Sequence, residues 1–423
     1  MPTPRSAPAA RSGFPATLRQ AIVDALRRSA AHDLPDGPLR RYLERGLAPG
    51  TPGHGEFLRA TGVSQLTALY AHLAEGLAPP RWSTVAGDLA RIAAYQAFEI
   101  ISDNLAIGLA ADADARGDGG EGTAGLRRGL LRAFNAAVVA RLRGGPPAAA
   151  LLAGEREAAR QVSLLTQSLA GATHRRLAGS LAGALDADLW AGLVANAETA
   201  AAVADRLAGD PLGPLVADGL EQRYRAVTRT LDAAHLCLVE LAAVGAHSVL
   251  VTPTLAYCVG VLAGPGTVAR LRPVLADGTL AEALYDAALL SRLLNDAGTR
   301  LLTMSAGRRR AALPAPRGPL AELLTDPLFT RLHKDLRHGE FNVCLYAARR
   351  CADPETALDS LAASLDYYAR LYAAHRARLA TALDRLTRRL QDPVPATLVH
   401  RFVRFHAALY THRYDDAAGE YAI

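Results

Sequence analysis

Lysine is almost missing from this chain. Lys334 is the only one in 423 residues, and arginine supplies nearly all of the 47 basic side chains. So lopsided a choice tracks a GC-rich coding sequence rather than a site. There is no long basic block either. The net charge of +6 is spread along the chain among acids, and a dispersed charge argues against a nucleic-acid partner. Cysteine is scarce, with Cys237, Cys258, Cys344 and Cys351 as the full set. None are in CxxC spacing, which argues against a zinc site and fits a reducing, cytoplasmic setting. The N-terminus lacks an uninterrupted apolar run, so no signal peptide is expected. Leu236 to Ala263 is apolar enough to resemble a membrane span, but Glu240, His247 and Pro253 interrupt it. It reads as a buried, broken core helix, and no membrane span is expected.

Strand-type alternation is also nearly absent. What the chain has instead is apolar residues recurring at three and four, carried by Ala, Leu, Arg and Glu, all good helix formers. Half of the residues are hydrophobic, ample for a large core. Gly and Pro clusters punctuate the pattern. Residues 1–15 read as disordered. Loops are expected near 111–123, 144–147 and 305–337, the last because a helix cannot continue past the prolines that follow Ser305. Between the breaks lie roughly a dozen helices with no fixed-period repeat. The expectation is an all-α fold: one domain over 16–423, able to hold a pocket between its helices.

One helical segment carries unusual polarity. Leu290-Ser-Arg-Leu-Leu-Asn-Asp-Ala-Gly-Thr-Arg-Leu-Leu-Thr303 sets Arg292, Asn295, Asp296, Thr299 and Thr303 in an apolar run. Asn295, Thr299 and Thr303 are four apart, which puts their oxygens along one helix face. A row of hard oxygens suits Mg²⁺. Arg292, a turn earlier, is placed to hold a phosphate oxygen.

This segment resembles the second metal motif of the class I terpene synthases, N-D-x-x-(S/T)-x-x-x-E preceded by an Arg-Leu pair. Asn295, Asp296 and Thr299 match, Arg292 matches the diphosphate-binding arginine, and Thr303 stands where the family has Glu. The segment from Ala243 to Tyr257 resembles the family's broken helix. Gly245 and Pro253 give reasons for a kink, and His247 and Ser248 stand where bacterial members often carry a diphosphate-sensing arginine. His338 to Leu358 resembles a plant-type stretch with a helix around Tyr346, and Asp353-Pro-Glu is a sound helix opening in its own right. Pro395 to Asp416 resembles the C-terminal helix, with Arg413-Tyr414 like the Arg-Tyr pair that closes the site over the diphosphate. The resemblance covers Leu231 to Tyr421.

Its first metal motif, D-D-x-x-D, is not written here. The best counterpart is Asp103-Asn104 in an apolar helix, with Glu99 four residues ahead and able to share a face with Asp103. Asp112, Asp114 and Asp118 follow in a glycine-rich stretch and read as solvated. The resemblance implies a single helical bundle of the class I terpenoid synthase (isoprenoid synthase) type, monomeric or homodimeric. It implies a lyase using Mg²⁺ on a prenyl diphosphate, with C20 favoured and C15 as the shorter alternative. Asp103, Asn104, Asn295, Asp296 and Thr299 would hold metal; Arg292, Arg413 and Tyr414 the diphosphate. His247 and Ser248 would act at the kink. A departing diphosphate would leave an allylic cation in a dry cavity, for which Phe98, Tyr257, Tyr346 and Phe405 are the candidate aromatic faces. No D-x-D-D string supports a protonation-initiated cyclase. A chain-elongating isoprenyl transferase of the same fold would need two Asp-rich motifs. A non-catalytic helical binding protein is the remaining alternative.

Overall fold

The computed structural model describes residues 13–109, 121–165, 168, 170–231, 236–316 and 318–411. Among them every regular element is helical and there is no strand. The helices that frame the core and the site are α1 (Phe14–His32), α2 (Trp82–Ala106), α3 (Glu121–Leu142), α4 (Leu189–Arg206), α5 (Gly213–Leu231), α6 (Leu238–Ser248), α7 (Val251–Leu262), α8 (Thr279–Ala297), α9 (Thr330–His338), α10 (Pro354–Leu390) and α11 (Val394–Leu409). Further helices, among them Pro38–Leu47, Val63–Leu73 and Pro265–Ala276, connect them, so the elements outnumber the dozen expected from the pattern.

Two groups of helices share one continuous apolar core, which runs from Phe14 to Phe402. In the first, α2 packs between α1 and α4. In the second, α8 packs against α10 and α11. The bridge between them is α5 to α7. Helix α5 lies on α3, α6 and α7, while α7 touches both α2 and α8. Nearly every residue of α8 is buried, as expected of a helix apolar on all sides. Helix α10 is the longest element, at 37 residues, or about 56 Å. Its start is capped as the sequence implies: the Asp353 carboxylate accepts from the Thr356 N–H at 2.9 Å, and Pro354 fills the first position.

Several expected boundaries move. Residues 14 and 15 are not irregular, since α1 begins at Phe14 with Pro15 in its first turn, where its missing N–H would have no partner anyway. Helix α3 begins at Glu121, inside the expected 111–123 loop; residues 110–120 lie outside the described set, with Asp112, Asp114 and Asp118. The 305–337 stretch is partly helical, with Ala306–Ala312, Leu320–Leu323 and most of α9. The helix expected around Tyr346 is a series of turns. Buried Asn342 opens those turns as a helix cap would, its Oδ1 accepting from the N–H groups of Cys344 (2.9 Å) and Leu345 (3.2 Å), but Cys351 in extended backbone ends them before a longer helix forms.

The apolar stretch from Leu236 to Ala263 breaks as expected. Helices α6 and α7 meet at an angle of 41°, across Val249 in extended backbone. Pro253 sits in the first turn of α7, seated on Gly219 of α5, where a Cβ would come 3.1 Å from the proline ring. No single helix among the described residues is long and apolar enough to cross a membrane.

Candidate functional site

Helix α8 carries the Asn-Asp pair toward its C-terminal end. Asp296 is fully buried. Arg292, one turn earlier, grips it in a forked pair, Nε to Oδ2 at 2.9 Å and Nη2 to Oδ1 at 2.8 Å. The Val343 N–H donates to Oδ2 at 2.8 Å, and Asn295 Nδ2 donates to Oδ1 at 3.2 Å. Burial pushes the Asp296 carboxyl up to about 6 against the pull of Arg292. The remaining reach of Arg292 goes to the Phe341 carbonyl at 2.6 Å. The amide of Asn342 joins the Asp296 carbonyl (3.0 Å) to the buried Asp335 (2.7 Å). Arg292 and Asp296 thus tie α8 to the turns beyond α9.

Asn295 faces α9. Arg331 donates through Nε to its carbonyl at 2.8 Å and through Nη2 to its Oδ1. Then the helix stops. Gly298 has φ 81° and ψ 155°, a backbone shape only glycine adopts without strain. The expected face of Asn295, Thr299 and Thr303 therefore does not form, because α8 does not run through it. Thr299 instead donates to the Ala407 carbonyl of α11 at 2.7 Å, and Thr303 back to the Thr299 carbonyl at 2.9 Å. Beside this break is a small cavity of about 70 Å³ lined in part by Gly298, Arg300, Arg331 and Tyr410. Arg413 and Tyr414 lie outside the described residues.

Helix α6 packs against α8 with Gly245 under the Arg292 stem. Next to it, the Ser248 hydroxyl donates to the Gly245 carbonyl at 2.9 Å. One carbonyl near the break is therefore already taken. His247 is half-buried, which lowers its basicity, and its ring lies 5.6 Å from that of Tyr285.

The opposite acidic element is on α2. Glu99 and Asp103 do share a face, and Arg223 of α5 joins them. Its guanidinium donates to Glu99 and, at 2.6 Å, to Asp103. Glu99 and Arg223 are both buried, while Asp103 is largely exposed. Burial pushes the Glu99 carboxyl up, opposed by Arg223 and reinforced by the negative charge of Asp103. Around them run Tyr95 to Tyr224 (2.9 Å), Asn196 to Ser102 (3.0 Å) and Tyr224 to Asn196 (3.3 Å). Asn104 turns elsewhere and lines an apolar cavity with Phe98.

The four aromatic candidates do not converge. Phe98 is in that apolar cavity. Tyr257 is buried, its hydroxyl bonded to the Asp88 carbonyl at 3.0 Å. Tyr346 accepts from the Leu236 N–H at 3.3 Å and lies under Arg350. Phe405 lies against His72 and His406.

A magnesium ion needs open oxygen lone pairs and room for its waters. Both Asp296 oxygens are enclosed and bonded, the Asn295 oxygen takes Arg331, and Thr299 has turned to α11. At Glu99 and Asp103 an arginine fills the cation's place. Among the described residues no three His, Cys, Asp or Glu side chains gather as a metal site. These residues, so arranged, do not fit the ion. Sequence reading missed Arg223, Arg331, Asp335 and Asn342. Arg223 and Arg331 are distant in the chain from what they bind, and no local pattern marks the Asp335–Asn342 pair, seven residues apart.

No protein-family model matches the chain, and neither a curated protein nor a solved structure does.

Proposed function

We propose that this chain acts on a prenyl diphosphate as the class I terpene synthases it resembles do, C20 being the favoured length. The observation that carries the reading is the position of the broken helix. Helix α7, just after the break, packs against both α2, bearing Asp103, and α8, bearing Asn295. That is the order the reaction asks for: acidic elements on two walls, and a break between them. The hydrocarbon chain would lie toward Val249 and Leu250, where the broken backbone offers carbonyl dipoles to a cation. The diphosphate would lie at the end of α8. A helix C-terminus repels anions, so the guanidinium groups of Arg300 and Arg331, which line the cavity there, are needed to offset it, Arg292 being closed on Asp296. His247, neutral at physiological pH, stands at the break to take a proton from a cationic intermediate.

The second reading is a helical protein that binds without turnover. The closed pairing of Asp296 with Arg292 favours it, since that pair leaves no ligand for a metal. Incubation with C10, C15 and C20 diphosphates and Mg²⁺, with mass spectrometry of the organic extract and assay of released diphosphate, separates the two. Turnover gives a hydrocarbon or alcohol product that Asn295→Ala abolishes. No product from any length selects the second reading. Product unchanged in Asn295→Ala means that the chemistry is elsewhere in the chain.

A further inference from the structure

The cavity that takes Phe98 and Asn104 is remote in kind from the α8 end. It has a volume of about 80 Å³ and lies between α1, α2 and the short helices Pro38–Leu47, His54–Ala60 and Gly171–Ala178. Leu39, Phe57, Phe98 and Ile101 make its wall, and among the described residues no Arg, Lys, Asp or Glu lines it. Ile100 also lines it and is 39% exposed, which marks an apolar mouth. The polar groups are few. The Tyr42 hydroxyl and His174 Nδ1 are 2.8 Å apart. Burial keeps His174 in its neutral form. The Asn104 side chain adds an amide on the facing helix.

We infer that this cavity is a binding site for a small uncharged alcohol with a compact hydrocarbon body, held by Asn104 and the Tyr42–His174 pair. Apolar cavities stay dry and take apolar ligands; one of about 150 Å³ admits benzene. This one is about half that size and borders the partly exposed Ile100, so the ligand is no larger than one ring with a short arm, seated part-way in that mouth. A few placed polar groups in an apolar wall fix orientation in such sites. The lining also decides what is refused. A phosphate or carboxylate brought here would be a buried charge without a partner, which separates this site from the arginine-rich end of α8. It does not depend on the proposed reaction.

The test uses three ligands on one frame: toluene, benzyl alcohol and benzyl phosphate. Saturation-transfer NMR on the full chain reads binding to each. Toluene and benzyl alcohol bind, the alcohol several-fold more tightly, and benzyl phosphate does not. Ala97→Phe fills the cavity and removes both signals, with folding checked by circular dichroism. Asn104→Leu, at a half-buried position that need not perturb the fold, brings the alcohol down to the level of toluene. The site is overturned by no signal from either neutral ligand, by benzyl phosphate binding as well as the alcohol, or by an Asn104→Leu profile identical to wild type.

Discussion

Arg292 of α8 lies across Gly245 of α6, so close that a Cβ on the glycine would sit 3.1 Å from the arginine Cγ and 3.1 Å from a methyl of Val343. The glycine does not bend its helix; the break comes at Val249. It makes room for the arginine that closes on Asp296. Gly245→Val is expected to destabilise the chain by about 1–3 kcal/mol through overpacking. Denaturant unfolding reads the loss. A stability within 0.5 kcal/mol of wild type would mean that Arg292 has room to move aside.

Glu99 and Arg223 give a prediction with a sign. The folded chain holds the Glu99 proton above the ordinary carboxyl value of 4.5, while the unfolded chain releases it near that value. The contribution to stability is therefore present at low pH and lost as pH rises through the folded value. Glu99→Gln should gain on wild type between pH 5 and pH 8, measured as the difference in unfolding free energy at each pH. A constant difference would remove the argument. Arg223→Met removes the group that opposes this shift, so the loss of stability with rising pH should extend to higher pH than in wild type.

His174 runs the other way. Burial lowers its basicity from the ordinary 6.5, so below that pH the unfolded chain takes up the proton first and stability falls. Replacing it by Gln should flatten the fall between pH 7 and pH 5. Thermal unfolding across that range checks it, and an equal slope in the variant would put the titration elsewhere.

Asp353 caps the longest helix from an exposed position. Asp353→Ala should cost about 1 kcal/mol with no change in helical circular dichroism. A cost near zero would mean that Pro354 alone sets the start.

How much of this could be read from the chain depends on how local the cause is. The helical class follows from the spacing of apolar residues, and the α10 start from Asp353-Pro354-Glu355. The break in Leu236 to Ala263 follows from Pro253, although its seat on Gly219 does not. The Tyr346 turns were not legible because nothing in the local pattern marks the extended backbone at Cys351 that ends them. The pairing of Glu99 and Asp103 on one face was legible from their spacing; that Arg223 neutralises them was not, as it comes from a different helix. For α8 the error was one of extent. Periodicity extended the helix through Gly298, a residue that a helix tolerates at modest cost but that here takes a left-handed shape.

That single glycine has a consequence for anyone wishing to complete the motif. Restoring the acidic residue of the resembled pattern by Thr303→Glu adds a carboxylate to a segment whose axis has already departed from that of α8. What the Asn295 face lacks is an unbroken helix, and no choice of side chain at position 303 supplies it.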